Sequence, residues 1–392
     1  MSHVRPFRGV RYDLNRVGGD PSAVFCPPDD LLTPSRRRAL LQRNPWNFLR
    51  IRLGVETADQ VPGTPESWSR SRKLGVEWLR DGILVQDAVP SFYVYRQTFT
   101  ATVGGVDDRF SRTGLVAMLD PGAVVGSPSV AAASGWATSL PLFLHSEPFA
   151  SFRDLLEASK PAALRFLDDH SVDHSFHAID DPEIVHSLQG ILRNLRALPL
   201  DGQIPSGPGP HLALLVAGDD PGLVLQPVHR IYRHVPAERI DAVLAEAGST
   251  FTVEELPYLG ADAAEALLAT LPEDVHGFAV RRQGADSILL VQVSSATPAG
   301  HALDPRTVFQ AVDRKLLGTP SDNDHRILNV SDGHRTMDLL DSDPASSLAI
   351  LVRPISVRAL LGLAAAGSPL DPALAPIHPR PWSGLVSQIP DA

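Results

Sequence analysis

Residues 201–230 read DGQIPSGPGPHLALLVAGDDPGLVLQPVHR, and this stretch decides how the chain is divided. Its first ten residues contain three Pro and three Gly, a composition typical of a linker. The apolar run that follows predicts a short strand at 211–217, and the Asp-Asp-Pro-Gly sequence at 219–222 is typical of a turn before a second strand. The predicted parts are an N-terminal α+β lobe at 1–200, a linker at 201–211 and a C-terminal α/β lobe at 212–392.

Strand and helix patterns alternate beyond the linker. The predicted helices lie at 236–247, 261–271 and 356–366, and the predicted strands at 222–227, 251–256, 277–282, 287–293 and 348–352. Such interleaving indicates an α+β or mixed α/β fold class, but it does not give the order of the strands.

The segment before the linker combines helices with one hairpin. Helices are predicted at 36–42, 66–80, 149–167 and 181–198, the first with Thr33 as its cap. Strands at 91–103 and 110–119 flank Gly104-Gly105, which supplies the positive backbone angles of a tight turn. We therefore predict a β-hairpin in the N-terminal lobe.

Composition and charge narrow the class of protein. Lys and Arg total 35 against 45 Asp and Glu, which gives a formal net charge of −10. A negative chain repels polyanions, so a nucleic-acid partner is disfavoured. Cys26 is the single cysteine, which excludes an intramolecular disulfide and a multi-cysteine zinc site and fits a reducing compartment. No apolar run approaches the roughly 20 residues of a bilayer span. We expect a soluble, cytoplasmic protein with no membrane partner.

The densest set of potential metal ligands surrounds residue 174. Its members are His170, Asp173, His174, His177 and His186. A helix could bring part of this set to one face, but Val172 and Phe176 alternate in a way that favours a junction between loop and strand. We therefore predict no metal site.

Arginines near the N-terminus are candidates for binding an anion, because a planar guanidinium suits phosphate and carboxylate. Arg8 and Arg50 stand out since they lie beside the rigid Pro-Phe and Trp-Asn-Phe elements. His229 and Arg230 follow a predicted strand end, where binding sites are common. The alternative for each is a solvated surface charge.

Asp332-Gly333-His334-Arg335 is a further candidate. A Gly turn before a helical stretch could present backbone N–H groups and a guanidinium to phosphate. The alternative is a helix start with an exposed His334 and Arg335. No P-loop, Rossmann or nucleophile-elbow motif occurs in the chain.

Several segments match one family pattern in order over nearly the whole chain. They are RPFRGVRY at 5–12, PPDDLLTP at 27–34, NPWNFLR at 44–50, FYVY at 92–95, RTGLVA at 112–117, DPGL at 220–223, PVHR at 227–230 and PRPWSGLV at 379–386. Together they resemble a bacterial and archaeal family that carries the domain-of-unknown-function label number one thousand and fifteen. Members resemble the ParB and sulfiredoxin-like group, which includes nucleotide-dependent kinases acting on free serine.

This resemblance implies a ParB/sulfiredoxin-like N-terminal lobe with a second α/β lobe. It leaves the cofactor unknown, with ATP or ADP and Mg²⁺ as the candidates. It also places Asp30 at the family's aspartate position, and Asp30 and His229 are the catalytic candidates. The family's H-E-x-T motif is replaced here by residues 122–133, which contain neither His nor Glu. The family's D-G-H-H-R-Y motif is missing where the linker stands, and Asp332–Arg335 echoes it much later in the chain. Phosphoryl transfer depends on positioned phosphate donors, so the departures argue against kinase activity.

Two hypotheses of close weight follow. In the first, an enzyme-derived protein binds a small anionic metabolite, an amino acid or its phosphate, with Arg8, Asp30, Arg50, His229 and Arg230 near the pocket, and could perform a transfer reaction by a rearranged site. In the second, the chain is a non-catalytic partner or regulatory pseudoenzyme, working with a protein partner or as a homo-oligomer. Nucleic-acid binding is a weaker third, because the charge balance opposes it.

Overall fold

The structure, a computed structural model, describes residues 3–28, 32–57, 59–60, 62–103, 106–125, 130–131, 140–145, 150–157, 163–200, 205–206, 209–272, 275–294, 305–318, 324–358, 360 and 377–389. The helices are α1 (Pro21–Val24), α2 (Pro34–Arg43), α3 (Leu49–Leu53), α4 (Pro65–Arg80), α5 (Ala150–Glu157), α6 (Pro182–Ile191), α7 (Ala237–Thr250), α8 (Ala261–Ala269), α9 (Pro305–Leu317) and α10 (Gly333–Ser342).

Strands alternate with these helices along the chain. They are β1 (Val4–Arg5), β2 (Val10–Tyr12), β3 (Leu84–Gln86), β4 (Phe92–Val103), β5 (Val106–Leu119), β6 (Val130–Ala131), β7 (Leu142–His145), β8 (Leu164–Leu167), β9 (Asp173–Ile179), β10 (Ala197–Pro199), β11 (Pro205–Ser206), β12 (His211–Ala217), β13 (Val224–Leu225), β14 (His229–Arg233), β15 (Thr252–Pro257), β16 (Val275–Arg282), β17 (Ser287–Ser294), β18 (Ile327–Val330), β19 (Ser346–Val352) and β20 (Ile377–His378). The predicted α+β fold class is confirmed.

The first sheet has the strand order β10-β7-β12-β5-β4-β9-β8, with β1 also paired to β5. Its longest pairing is the predicted hairpin, in which β4 and β5 run antiparallel from Tyr93 opposite Val116 to Val103 opposite Val106. Phe92 and Tyr93 are both fully buried, on opposite faces of β4. Because successive side chains point to opposite faces, both faces of this sheet are covered at its centre.

Two cores lie against the first sheet. One contains Leu188 and Leu192, which come from α6 and its end. The other contains Phe48 and Trp78 from the N-terminal helices together with Trp382 near the end of the chain. The N-terminal elements are therefore packed against residues that are far away in sequence.

The second sheet is antiparallel, with the order β15-β17-β16-β19-β14-β18. Its strands come only from residues 229–352 among those described. Phe309 of α9 lies in the core on one face, and Leu340 of α10 lies in the core on the other. Ile231 and Tyr232 of β14 are both fully buried and belong to opposite faces, as period-two alternation requires.

Residues 377–389, named here the return segment, lead the chain back to the first sheet's core. β20 pairs with β13, and backbone bridges join Cys26 to Ser383 and Val10 to Ser387. The second sheet is therefore inserted between two stretches that both pack in the first core.

The structure differs from the sequence predictions at three places. β12, assigned by sequence to the C-terminal lobe, pairs with β5 and β7 inside the first sheet. The reason is that residues 212–217 are apolar on both faces and are all buried, which suits the middle of a covered sheet. The division of the chain into separate domains stays a prediction.

The predicted helix at 149–167 is wrong at its end, because β8 occupies 164–167. Residues 158–162 lie outside the described part of the chain. The predicted helix at 181–198 likewise ends at Ile191, before β10. The predicted helix at 356–366 falls almost entirely outside the described residues. Within the described part of the chain, no helix is long and apolar enough to cross a bilayer.

Candidate functional site

A cavity of about 820 Å³ lies between the two sheets, and we call it the cleft. The turn between β8 and β9 forms one wall, the return segment a second, and β18 with the start of α10 a third. The volume falls within the roughly 300–1,000 Å³ of ordinary small-molecule sites. The titratable side chains that line the cleft are Asp168, His170, Asp332, Arg335, His378 and Arg380.

Asp168 fixes the first wall. Its Oδ1 accepts the backbone N–H groups of His170 at 2.8 Å and Val172 at 2.9 Å, and its Oδ2 accepts from Nε2 of His174 at 3.1 Å. Burial alone would raise the pKa of this carboxyl, but the hydrogen bonds from His174 and the backbone outweigh it and lower the pKa. With three donors on it, the carboxylate holds its own turn in place.

A buried chain of hydrogen bonds continues inward from Asp168. His174 is fully buried, and its Nδ1 accepts from the hydroxyl of Tyr95 at 2.8 Å. The Tyr95 oxygen in turn accepts the backbone N–H of Trp382 at 3.2 Å. Burial lowers the pKa of His174, and the hydrogen bond to Asp168 offsets this only in part. The imidazole therefore stays neutral near pH 7 and links the turn wall to the return segment.

Arg112 of β5 fixes the return segment to the first sheet through hydrogen bonds. Only 1% of this residue is exposed, and its guanidinium donates to the backbone oxygens of His378 and Pro379 and to the side chain of Gln97. Gln97 also donates to the backbone oxygen of Arg380 at 3.2 Å. The side chains of Arg112 and Gln97 thus supply hydrogen bonds to the backbone oxygens of residues 378–380.

At the start of α10, the structure gives structural roles to Asp332, Gly333 and His334 of the Asp-Gly-His-Arg motif. Asp332 is the N-cap, and its Oδ1 accepts the backbone N–H of Arg335 at 2.7 Å. A Cβ at Gly333 would lie 2.3 Å from Oε1 of Glu265, so glycine leaves room for that carboxylate. His334 is exposed and donates to Asp262 at 2.6 Å, and this bond raises the pKa of His334.

Arg335 differs from the residues around it. Its side chain is exposed and lines the cleft, and the guanidinium makes no hydrogen bond or ion pair with any described residue. Of the predicted motif, the structure therefore brings Asp332 and Arg335 to the cleft and leaves His334 outside it.

Arg8 and Arg50 lie away from the cleft. Nε of Arg8 donates to the backbone oxygen of Asp87 at 2.8 Å. Arg50 donates to the backbone oxygens of Leu41 and Glu56 and lines a separate cavity of about 260 Å³. Both guanidiniums serve backbone carbonyls of their own lobe, and the structure does not bring them together with Arg335.

His229 and Arg230 are part of the second lobe's core. His229 is fully buried, with Nδ1 accepting the N–H of Val352 at 3.2 Å and Nε2 donating to Glu265 at 3.2 Å. Arg230 donates to Asp313 at 2.7 Å, and its guanidinium lies 4.1 Å from the centre of the Phe309 ring. Neither residue lines the cleft. Asp30 lies outside the described residues.

The set of potential metal ligands is spread over three elements: Asp173, His174 and His177 lie in β9, His170 lies in the turn before β9, and His186 lies in α6. His174 points into the core, and within the described ranges no group of three or more His, Cys, Asp or Glu residues could hold a metal ion.

Sequence reasoning missed Asp168, Arg380 and Trp382 as cleft residues. Asp168 stood at a predicted helix end, and the PRPWSGLV segment was noted only as part of a family pattern. The one available signal was that an apolar Trp382 within a Pro-rich tail suggests packing against another part of the chain.

Residues 4–122 match the model of a family described as protein of unknown function (DUF1015). Of the cleft lining, this segment contains only Pro28. No curated protein matches the chain. Among solved structures, a crystal structure of a Thermus thermophilus protein matches at 11% identity over 78% of this chain and 36% of that chain, with a TM-score of 0.14. This chain thus spans 36% of that protein's length, and a TM-score this low carries no argument.

Proposed function

This chain belongs, through residues 4–122, to the DUF1015 family, and from that premise we propose that it binds a small anionic metabolite in the cleft between its two sheets. The ligand class is a carboxylate or phosphate compound of low molecular mass, such as an amino acid or its phosphate. The kinase-like and ParB/sulfiredoxin-like ancestry and the cytoplasmic location stay predictions.

The single observation that carries this proposal is the Arg335 guanidinium, which faces the cleft without a partner among the described residues. Most other arginines near the cleft have assigned roles, as Arg112 and Arg36 illustrate through their bonds to His378 and His170. A guanidinium presents a planar set of donors that matches the two oxygens of a carboxylate or phosphate. An unpaired one at the wall of an 820 Å³ cavity is suited to an anion that is not part of the chain.

The two carboxylates in the described lining of the cleft do not pair with the Arg335 guanidinium. Asp168 is buried and occupied by three donors. Oδ1 of Asp332 accepts the N–H of Arg335 in the first turn of α10, where the positive end of the helix dipole compensates its charge. Arg380 adds a second arginine to the same cavity.

A non-catalytic partner or regulatory role is the second candidate, and a specific observation favours it over a transferase. A general base needs a free acceptor within hydrogen-bond reach of the substrate. In the described part of the cleft, both carboxylate oxygens of Asp168 accept hydrogen bonds, and His170 lies 3.0 Å from a guanidinium nitrogen of Arg36. Asp332 uses Oδ1 to cap α10. Two of the three candidate bases are thus engaged in the walls, which favours binding without turnover.

Thermal unfolding of the full chain tests the proposal. The probes are serine, phosphoserine, ADP, ATP with Mg²⁺, acetate and inorganic phosphate. A ligand at one hundred times its dissociation constant stabilises the fold by about 2.7 kcal/mol, which is a clear rise in the midpoint temperature. We expect at least one anionic probe to give this rise and Arg335→Ala to abolish it.

The matched control is Arg314→Ala, which removes an exposed arginine of α9 in the same lobe. It should leave the ligand response unchanged. A response equal in wild type, Arg335→Ala and Arg314→Ala would contradict the proposed site. Phosphate transfer from ATP to serine, measured alongside, would contradict the non-catalytic alternative.

A further inference from the structure

β18 lies at the edge of the second sheet. Among the described strands it pairs only with β14, from His229 opposite Val330 to Tyr232 opposite Ile327. The bond from the N–H of Arg233 to the oxygen of Arg326 continues this register and shows which pairs exchange hydrogen bonds.

The alternation of an antiparallel ladder then shows, for each residue of β18, whether its backbone groups point toward β14 or away from it. Bonded and non-bonded pairs alternate, so Leu328 and Val330 direct their N–H and C=O groups toward β14. Asn329 directs its groups away from β14, and no described residue bonds to its backbone. The outer edge of the strand therefore offers the backbone donor and acceptor of Asn329.

This edge faces the cleft. Residues 328–332 all line it, without a gap. Side chains on a strand alternate between faces, so five consecutive lining residues mean that the backbone edge itself borders the cavity. Arg335 stands beyond the C-terminal end of the same strand.

The opposite edge of the sheet shows how an exposed edge is normally protected. β15 is the other outer strand, and it carries the exposed residues Glu254, Glu255 and Pro257, which discourage pairing with another chain. β18 has the sequence Ile-Leu-Asn-Val, with no charge and no proline. Within the described part of the chain, no strand pairs with the outer edge of β18, and this edge borders the cleft.

We propose that the ligand of the cleft is peptide-like: a short extended segment that pairs with the outer edge of β18 and places its terminal carboxylate on Arg335. This inference rests on the proposed function, because it uses the same guanidinium. Since Arg335 follows the C-terminal end of β18, the peptide runs parallel to that strand. Four strand residues span roughly 13 Å, which matches a peptide of three or four residues. Strand addition supplies main-chain hydrogen bonds, and carboxylate capture fixes the register.

The experiment uses degenerate tripeptide pools with the full chain and thermal unfolding as the readout. One pool has free carboxylates, a second is amidated at the C-terminus, and a third is N-methylated at the central amide. Each change removes one kind of contact. We expect the free pool to raise the midpoint and each modified pool to bind about tenfold more weakly, as the loss of one or two hydrogen bonds implies.

Protein variants separate the backbone of Asn329 from its side chain. Asn329→Pro removes the outward N–H without removing a bond to β14, and it should reduce the response to the free pool. Asn329→Ala keeps the backbone N–H and should reduce the response less than Asn329→Pro does. If Asn329→Pro fails to fold, the N-methylated pool carries the same test on the ligand side.

The outcomes distinguish the two proposals. Binding of phosphate or acetate that depends on Arg335, with free and N-methylated pools responding equally, would overturn the peptide inference and keep the anion site. No response to any probe would overturn both. A free-pool response lost on amidation, on N-methylation and in Arg335→Ala would support both.

Discussion

Asp168 and Arg335 face the same cleft, yet the structure treats them in opposite ways. Asp168 receives three hydrogen bonds and is almost fully buried, whereas the exposed Arg335 guanidinium has no partner among the described residues. A charge surrounded by internal donors stabilises the fold, and a charge left without them is available to a ligand. The difference indicates that the wall with Asp168 stabilises the fold and the wall with Arg335 binds the ligand. Substitutions at the two residues test both statements.

The largest loss of stability is expected for a substitution of Arg112, which bonds to the return segment. Arg112→Met removes a buried guanidinium and the hydrogen bonds that it donates to the oxygens of His378 and Pro379. Each buried acceptor that loses such a bond costs about 1–3 kcal/mol of unfolding free energy, and two acceptors are affected here. Urea denaturation measures it. Arg109→Ala, an exposed position on the same strand, is the control and should change stability little. A small loss in Arg112→Met would show that the wall does not depend on this residue.

Asp168→Asn comes next. The amide keeps the shape but loses the charge on which three donors converge, at a cost of about 1–3 kcal/mol near pH 7. The pKa of Asp168 is lowered in the folded chain, so its contribution is complete above the ordinary value of about 3.9 and is lost as the pH falls through the lowered value. The decline in wild-type stability below about pH 4 should therefore be shallower in the variant. Parallel curves for the two proteins would refute the assignment.

A smaller loss is expected for Asp332→Ala. Removing an N-cap costs about 1 kcal/mol, and here the N–H of Arg335 in the first turn of α10 loses its acceptor. Thermal denaturation measures the loss, and Asp338→Ala, an exposed position further along α10, is the control. Equal stability of the two variants would mean that Asp332 is not a working cap and is available for a ligand.

Arg335→Ala should change the stability of the unliganded chain least, by less than about 0.5 kcal/mol, since the guanidinium touches no described partner. Ligand response should nevertheless disappear. Arg335→Ala should thus abolish binding with little loss of stability, whereas Asp168→Asn should reduce stability. A destabilisation as large as that of Asp168→Asn would show that Arg335 is structural.

Sequence patterns predicted local elements better than their assembly. The hairpin of β4 and β5 followed from alternation and a Gly-Gly turn, and strands β16 and β17 were predicted close to their observed ranges. The place of β12 could not be read, because an apolar strand is equally suited to the middle of either sheet. Tertiary context alone decides which neighbours cover it.

The candidate site was predicted only in part. Asp332 and Arg335 were identified because a cap, a glycine and an arginine stand together at a helix start. The other walls come from residues 168–172 and 377–382, which no local pattern connects. His229 resembled a site residue because it follows a strand end, but the chain continues directly into β14 and buries it.

The return segment has a consequence for synthesis of the protein. Trp382 and Val386 complete a core whose other members, such as Phe25 and Tyr93, are made first. The second sheet lies between them in the chain, so the ribosome must deliver that whole sheet before the earlier one can close. Until then, the nascent N-terminal part presents an open apolar surface, and chaperone protection during translation would be most useful over that interval.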